Sequence, residues 1–261
     1  LSGYAVLNTS VAEQPCEGLS DSGPYEGRAG VQLNSGLRRL AFALAELDYN
    51  LVGSSAIDDQ SRFVTVRDVR ARVQKAAPFL SWDNDPYPVV VDGDVLWVVD
   101  GYTTSSRYPY GQFADRTQVN PGSGLDHTFN YVRNSVKATV DAYTGDIVLY
   151  TVDEADPVLQ VWRSAFPDLF TDRSSMPAGL ADHLRYPEEL FRIQTAAYSK
   201  YRLDADDFFD RRGAWSVALA ASAEPGGSGV DSATLNTTAT GAPNDFAGES
   251  DAARFVPYYT M

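Results

Sequence analysis

The stretch from Asp85 to Gly111, which reads DPYPVVVDGDVLWVVDGYTTSSRYPYG, decides the fold. Two apolar runs, Val89–Val91 and Val95–Val99, flank the dipeptide Asp92-Gly93. An Asp-Gly pair between apolar runs is the strongest short-range signal for a β-hairpin, because the favoured turn needs positive φ at both residues. Since the two runs are nearly continuous, they predict strands that are covered on both faces of the sheet.

A second hairpin is predicted farther along the chain, in NYVRNSVKATVDAYTGDIVLYTV (130–152). Apolar residues alternate with polar ones from Val136 to Val140, which is the period of a strand. Gly145 supplies the positive φ that the turn needs, and Ile147–Tyr150 forms the returning strand.

Periodic apolar residues predict helices on both sides of these hairpins. Asp156 as N-cap and Pro157 in the first turn mark the start of one of them. The first helix has an apolar stripe that is predicted to face the core: Leu37, Leu40, Ala41, Leu44 and Leu47. The helices are predicted within residues 34–50, 67–80, 156–170, 178–184 and 187–201.

The order of elements is helices, hairpin, hairpin, helices. This segregation predicts an α+β fold, with an antiparallel sheet built from two hairpins (about 87–100 and 129–151) and helices packed on it. Residues 1–33 are predicted to be an irregular leading segment and residues 34–221 the α+β domain. A flexible loop of small residues (222–250) and a truncated strand (251–261) follow. Because the sequence begins at Leu1 rather than Met, we expect an excised domain.

The composition bounds the possible partners. With 21 basic and 35 acidic residues the net charge is −14, which repels nucleic-acid phosphates and anionic lipids. Cys16 is the one cysteine, so neither an intrachain disulfide nor a thiolate metal cluster is possible. The sequence has no apolar run of membrane-spanning length, and its first residues are not expected to be a signal peptide.

The sequence predicts no catalytic, cofactor-binding or metal-ligating residues. It lacks the H-E-x-x-H, G-x-S-x-G and glycine-rich phosphate motifs. His183 lies near Glu188 and Glu189, which suits a general base, but the favoured interpretation is a histidine that ends a short helix. His127 lies in a loop rich in Gly and Pro and is a weaker candidate for a general base.

Four aspartates cluster around the first hairpin: Asp83, Asp85, Asp92 and Asp94. They could form an oxygen-rich calcium site, but the spacing of an EF-hand loop is missing. Turn chemistry is the favoured interpretation, with Asp83 and Asp85 shaping the turn into Pro86 and Asp92 shaping the hairpin turn.

Polar and aromatic residues crowd the end of the first hairpin. Loops that leave a rigid sheet often bind ligands, and Tyr and Arg often anchor interfaces. The alternative is a strand end that buries tyrosine rings and leaves their hydroxyl groups in water. The candidate recognition surface comprises Asp100, Tyr102, Thr103, Arg107, Tyr108 and Tyr110.

Six blocks of sequence resemble, in order, uncharacterised protein family UPF0182, between about Tyr25 and Trp215. VPYYTM, at the end, is similar to the start of the next block. The blocks are YEGRAGVQLNSGLRRLAFAL, SRFVTVRDVRARVQKAAPFL, DPYPVVVDGDVLWVVDGYTTS, NYVRNSVKATVDAYTGDIVLY, DPVLQVWRSAFPDLF and MPAGLADHLRYPEELFRIQ. The small-residue insertion at 222–250 departs from the family pattern.

The resemblance implies a location. Members of this family look like multipass membrane proteins of actinobacteria with a large soluble portion outside the cytoplasm. It implies that this chain is part of that portion, at the extracytoplasmic face and tethered through helices that lie outside it. VKATVDAYTGDIVLYTV is also similar to the strand-turn-strand of PepSY domains, so the fold is expected to be PepSY-like or cystatin-like at best.

The sequence therefore favours a non-catalytic extracytoplasmic domain that binds, senses or assembles. Its expected partner is a protein or another envelope component rather than nucleic acid, and no cofactor is expected. Two alternatives stay open. One is a cell-envelope hydrolase that uses a carboxylate pair, and the other is a PepSY-like regulator of a peptidase.

Overall fold

The structure of the protein, a computed structural model, describes residues 3–11, 25, 27–115, 119 and 122–201. The predicted flexible loop at 222–250 and the predicted strand at 251–261 lie outside these residues. So does the last part of the predicted α+β domain, from residue 202 onward.

Antiparallel strands and helices make up the described residues. The strands are β1 (Ala5–Leu7), β2 (Val31–Gln32), β3 (Arg62–Val64), β4 (Ser81–Trp82), β5 (Tyr87–Val91), β6 (Asp94–Ser105), β7 (Tyr131–Asp141), β8 (Ile147–Thr151) and β9 (Phe170–Asp172). The helices are α1 (Gly36–Glu46), α2 (Asn50–Gly53), α3 (Val69–Ala76), α4 (Pro157–Ala165), α5 (Ala178–Ala181) and α6 (Glu188–Tyr201). The small sheet has the order β1-β3-β2. The larger has the order β4-β6-β7-β8-β9, with β5 also paired to β6. The predicted α+β class is confirmed.

Both predicted hairpins are present. Val91 pairs with Asp94, so Asp92 and Gly93 are the two turn residues, with φ of 54° and 95°. Positive φ at both positions is what a type I′ turn requires, and its twist matches that of the flanking strands. In the second hairpin Gly145 has φ of 74°, as predicted.

The expectation that both faces of these strands are covered is wrong for β5. Its side chains alternate between buried and exposed, and Val90 is 65% exposed. The expectation holds in the middle of β6, where every residue from Val98 to Thr103 is buried. On the Tyr102 face the cover comes from α6 and from the loop between β6 and β7, since Tyr102 packs in one core cluster with Leu190, Ile193 and Phe129.

The helix boundaries follow the predicted signals. Asp156 is the N-cap of α4 and accepts a hydrogen bond from the Val158 N–H, and Pro157 occupies the first turn. Asp68 caps α3 in the same way through the Ala71 N–H. These side chains satisfy N–H groups that a helix start leaves without a partner.

The predicted inward face of α1 is wrong. All four leucines of the stripe are exposed, from 47% at Leu40 to 86% at Leu47. Ala43 is the buried residue of the helix. The helical period is present in α1, but a period does not show which face of a helix meets the core.

Contacts divide the chain into two compact units. Unit 1 comprises the described parts of Leu1–Pro78, Pro86–Val99 and Ala138–Leu149. Unit 2 comprises those of Phe79–Asp85, Asp100–Lys137 and Tyr150–Met261.

Unit 1 contains the small sheet, which the sequence analysis missed. Strands β1 and β2 lie in the segment predicted to be irregular, and both pair with β3. Its core cluster is formed by Leu33, Ala43, Leu51 and Phe63. These strands have two or three residues each, too few for a period to be visible.

Unit 2 has a core in which α6 packs against β6. Leu190 and Ile193 of the helix pack with Tyr102 of the strand. Leu125 and Phe129, from the loop between β6 and β7, complete this core cluster. A second apolar group forms around Phe79, whose ring stacks on Trp162 of α4 with centroids 4.2 Å apart.

Candidate functional site

The six residues of the predicted recognition surface divide by burial. Asp100, Tyr102 and Thr103 are at most 4% exposed, so they cannot contact a macromolecular partner directly. The other three, Arg107, Tyr108 and Tyr110, are exposed. The strand continues to Ser105, and for that reason the first three positions are still inside the sheet.

The exposed three lie on a loop that Asn130 fixes in place. The Asn130 side chain accepts a hydrogen bond from the Tyr108 N–H at 3.0 Å and donates to the Tyr108 carbonyl at 2.8 Å. It also donates to the Gly111 carbonyl at 3.2 Å. One amide side chain therefore takes the place of a neighbouring strand and connects the loop from Tyr108 to Gly111.

Three aromatic rings are presented by this segment, residues 106–113, which we call the aromatic loop. Tyr108 is 55% exposed and stacks on Tyr131 of β7, with ring centroids 5.7 Å apart. Tyr110, in the left-handed region with φ of 58°, is fully exposed, and Phe113 is 54% exposed. A positive φ is uncommon for a residue as bulky as tyrosine. A tyrosine that only closed a loop would not need this conformation.

A shallow cavity of about 130 Å³ lies beside Phe113. Phe129, Val132 and Ile193 contribute apolar walls, and Asp115 is the acid in its lining. A site of this kind can accept an apolar side chain of a partner next to the aromatic loop.

Unit 2 also contains a buried ionic cluster. The ammonium group of Lys137 on β7 forms an ion pair with Asp100 on β6, and both side chains are 5% exposed. The same Nζ donates to the Arg185 carbonyl at 2.7 Å. Burial raises the pKa of Asp100, although the charge of Lys137 acts in the opposite direction.

Tyr102 and Asp83 form the other half of this cluster. The Tyr102 hydroxyl donates to Asp83, and the second oxygen of Asp83 accepts from the Asp85 N–H at 2.9 Å. Burial, together with the charge of Asp83, raises the pKa of Tyr102. The predicted role of Asp83 in shaping the turn is confirmed by the bond from Asp85.

Asp156 is at the centre of a third polar group. Its Oδ2 accepts from Ser135 at 2.5 Å and from Thr103, and its Oδ1 accepts from Tyr131 at 2.6 Å. Burial by itself would raise the pKa of Asp156, but these donors and the Val158 N–H hold it below the ordinary value. A carboxylate with every acceptor position occupied links β6, β7 and α4.

The histidines have local partners. His183 follows α5 and hydrogen-bonds the Gly179 carbonyl at 2.6 Å, as the helix-end interpretation predicts. His127 bonds the Gly124 carbonyl at 3.1 Å and the Thr104 hydroxyl at 3.0 Å.

No carboxylate pair lines either of the two cavities we describe. The cavity beside Phe113 contains one acid, Asp115. An open depression of about 580 Å³ in unit 1 contains Asp68 together with Arg67 and Lys75. Among the described residues, no three His, Cys, Asp or Glu side chains are grouped as metal ligands would be.

Within the described part of the chain, no helix combines the length and apolar character that crossing a membrane requires.

Comparison with known proteins gives one consistent match. Residues 2–261 match the family model described as Uncharacterised protein family (UPF0182). The chain is 43% identical over 204 residues to a UPF0182 protein of Thermobifida fusca, covering 74% of this chain and 20% of that protein. It is 44% identical over 216 residues to one of Frankia casuarinae, covering 78% and 21%. A Rhodococcus jostii relative is 42% identical over 231 residues, covering 86% and 23%. The chain thus spans about a fifth of the length of these curated relatives. No solved structure matches it.

Proposed function

Because the chain belongs to uncharacterised protein family UPF0182, we propose that it is a non-catalytic binding or assembly domain of a larger membrane protein. In this proposal the domain lies at the extracytoplasmic face and is tethered through segments outside this chain. The location and the tether rest on the resemblance described above. The partner is a protein or another envelope component.

The observation that carries the proposal is the aromatic loop. Binding normally costs the entropy of ordering a flexible loop, and a loop already fixed by Asn130 avoids most of that cost. Tyrosine and arginine are enriched among residues that dominate binding energy. Tyr108, Tyr110 and Arg107 supply both types on one exposed segment.

The buried acids of unit 2 also favour a binding domain over a hydrolase. The buried acids Asp83, Asp100 and Asp156 each have hydrogen-bond or ion-pair partners inside the unit. A hydrolase needs acids that face a substrate across a cleft. No described observation favours the hydrolase, or the PepSY-like regulator, over a binding domain.

Capture of a partner by the longer native protein tests the proposal. Envelope proteins are crosslinked in cells, and the adducts of wild type are compared with those of Tyr110→Ala and Tyr108→Ala. Tyr143→Ala is the matched control, since Tyr143 is 56% exposed, as Tyr108 is at 55%. Loss of one discrete adduct in the loop variants alone supports the proposal. Identical adducts in all four proteins would remove the aromatic loop as the recognition surface.

The location has its own test. Tyr110 is fully exposed, so Tyr110→Cys in a Cys16→Ser background adds one accessible thiol, and labelling is scored against the Cys16→Ser parent protein. We expect a membrane-impermeant maleimide to label this thiol in intact cells. Labelling only after lysis would place the domain inside the cell and refute that part of the proposal.

A further inference from the structure

The side chains of Lys137 and Asp100 are in contact and buried, which is the arrangement that a reaction between them requires. They lie on the neighbouring strands β6 and β7, their charged ends are in contact, and each side chain is 5% exposed. Trp82 and Tyr102, both fully buried, are in the same part of unit 2. From this geometry we propose that Lys137 and Asp100 condense to form an intramolecular amide (isopeptide) bond between β6 and β7.

The surroundings favour the neutral form of Asp100, which this reaction needs. A second acid, Asp83, is only 4% exposed, and its charge acts on Asp100. Burying several like charges is unfavourable. The charge of Asp83 adds to burial in raising the pKa of Asp100. Transfer of one proton within the ion pair gives an uncharged amine and a carboxylic acid.

The condensation balances without any other reactant. The lone pair of the Lys137 Nζ attacks Cγ of the protonated Asp100, and the Nζ–Cγ bond forms. The Cγ–OH bond breaks, and the hydroxyl leaves as water with a proton from the nitrogen. Nothing is oxidised or reduced, and one water is released. Proximity and fixed orientation supply much of the acceleration that such a reaction requires.

The product would have its polar atoms satisfied. An amide retains one N–H, and the Arg185 carbonyl is already an acceptor for the Lys137 nitrogen at 2.7 Å. It also retains one carbonyl oxygen, and Asn134 is already a hydrogen-bond partner of the Asp100 carboxyl group. The bond would therefore replace two buried charges by a neutral group without leaving a buried donor or acceptor unpaired.

Intact mass measurement of the 261-residue chain is the direct test. We expect a mass about 18 Da below that of the sequence, because one water is lost. Asp100-Gly101 and Asp92-Gly93 can also lose water by forming a succinimide, so the position of the change must be found. Lys137→Arg should restore the full mass, whereas Lys75→Arg, a change at an exposed lysine, should not.

Trypsin locates the bond. A modified Lys137 resists cleavage, so residues 76–107 and 134–163 should elute as one crosslinked species. Asp100→Asn should still react, with ammonia as the leaving group and a loss of about 17 Da.

Two outcomes would overturn the proposal. One is a wild-type chain with the full sequence mass and free peptides 134–137 and 138–163. The other is a mass loss that persists in Lys137→Arg. The mass and the tryptic peptides of the wild-type chain test the proposal even if a variant fails to fold.

Discussion

Replacing Asp156 by alanine should destabilise unit 2 strongly, and the structure sets the magnitude. Loss of an N-cap typically costs about 1 kcal/mol. Thr103 and Ser135 also lose their acceptor inside the protein, and a buried polar group left unpaired costs about 1–3 kcal/mol. Their hydroxyl groups lie 3.3 Å apart and can partly satisfy one another. The expected loss is therefore about 2–4 kcal/mol in the free energy of unfolding.

Urea or thermal unfolding followed by circular dichroism measures this change. For a chain of this size, the midpoint should fall by about 4–16 °C. Asp68→Ala is the matched control, because Asp68 caps α3 but is exposed and holds no buried hydroxyl group. It should cost only about 0.5–1 kcal/mol. Equal effects of the two variants would refute the reasoning from buried hydroxyl groups.

The pH dependence gives a second measure of the same carboxylate. The pKa of Asp156 is lower in the folded protein, so its charge contributes stability above the ordinary value of about 4. That contribution is lost as the pH falls through the lower, folded-state pKa. The difference in unfolding free energy between wild type and Asp156→Asn should therefore shrink in acid. A difference that is constant from neutral to acidic pH would contradict the assignment.

The remaining predictions concern close packing and the exposed helix face. Gly124→Ala should cost at least about 3 kcal/mol of unfolding free energy, because an added Cβ would overlap the Trp82 main chain. Gly36→Ala, where nothing lies within 4 Å, is its control and should be neutral or stabilising. Leu37→Lys should change stability by less than about 0.5 kcal/mol, because Leu37 is 79% exposed. By contrast, Leu51→Ala, at a fully buried position, should cost about 2–5 kcal/mol. Chemical unfolding measures all four.

The proposed amide bond has a mechanical consequence for the domain. β6 and β7 are neighbours in the larger sheet, and a covalent link between them would resist their separation. Crosslinks act mainly by restricting the unfolded chain. A domain at the cell surface would gain resistance to unfolding without a disulfide, which the lone Cys16 cannot supply within the chain.

Family membership and fragment length limit what the chain does alone. The chain spans about a fifth of the length of its curated relatives, so the activity of the whole protein is not assigned to this chain. What the chain contributes under our proposal is a rigid surface, with the aromatic loop at one edge of unit 2.

The candidate site was predictable in part. The sequence placed tyrosines and an arginine after a strand, and Arg107, Tyr108 and Tyr110 are exposed. It did not show that Asp100, Tyr102 and Thr103 are buried, because the end of β6 depends on its pairing with β4 and β7. No signal in the sequence pointed to Asn130, which fixes the loop from 22 residues away.

The sequence alone determined the local features of the fold. Asp92-Gly93 set a turn, Gly145 supplied a positive φ, and Asp156 capped a helix. Each of these depends on backbone sterics and hydrogen bonds within a few residues, so a short window of sequence contains the whole cause.

Only the tertiary structure decided which surfaces meet. It left the leucine stripe of α1 exposed, although its period is that of a buried face. It brought Lys137 against Asp100, 37 residues earlier in the chain. Both outcomes depend on burial summed over distant parts of the chain, and hydrophobic burial is non-directional, so periodicity shows that a face is apolar but not what covers it.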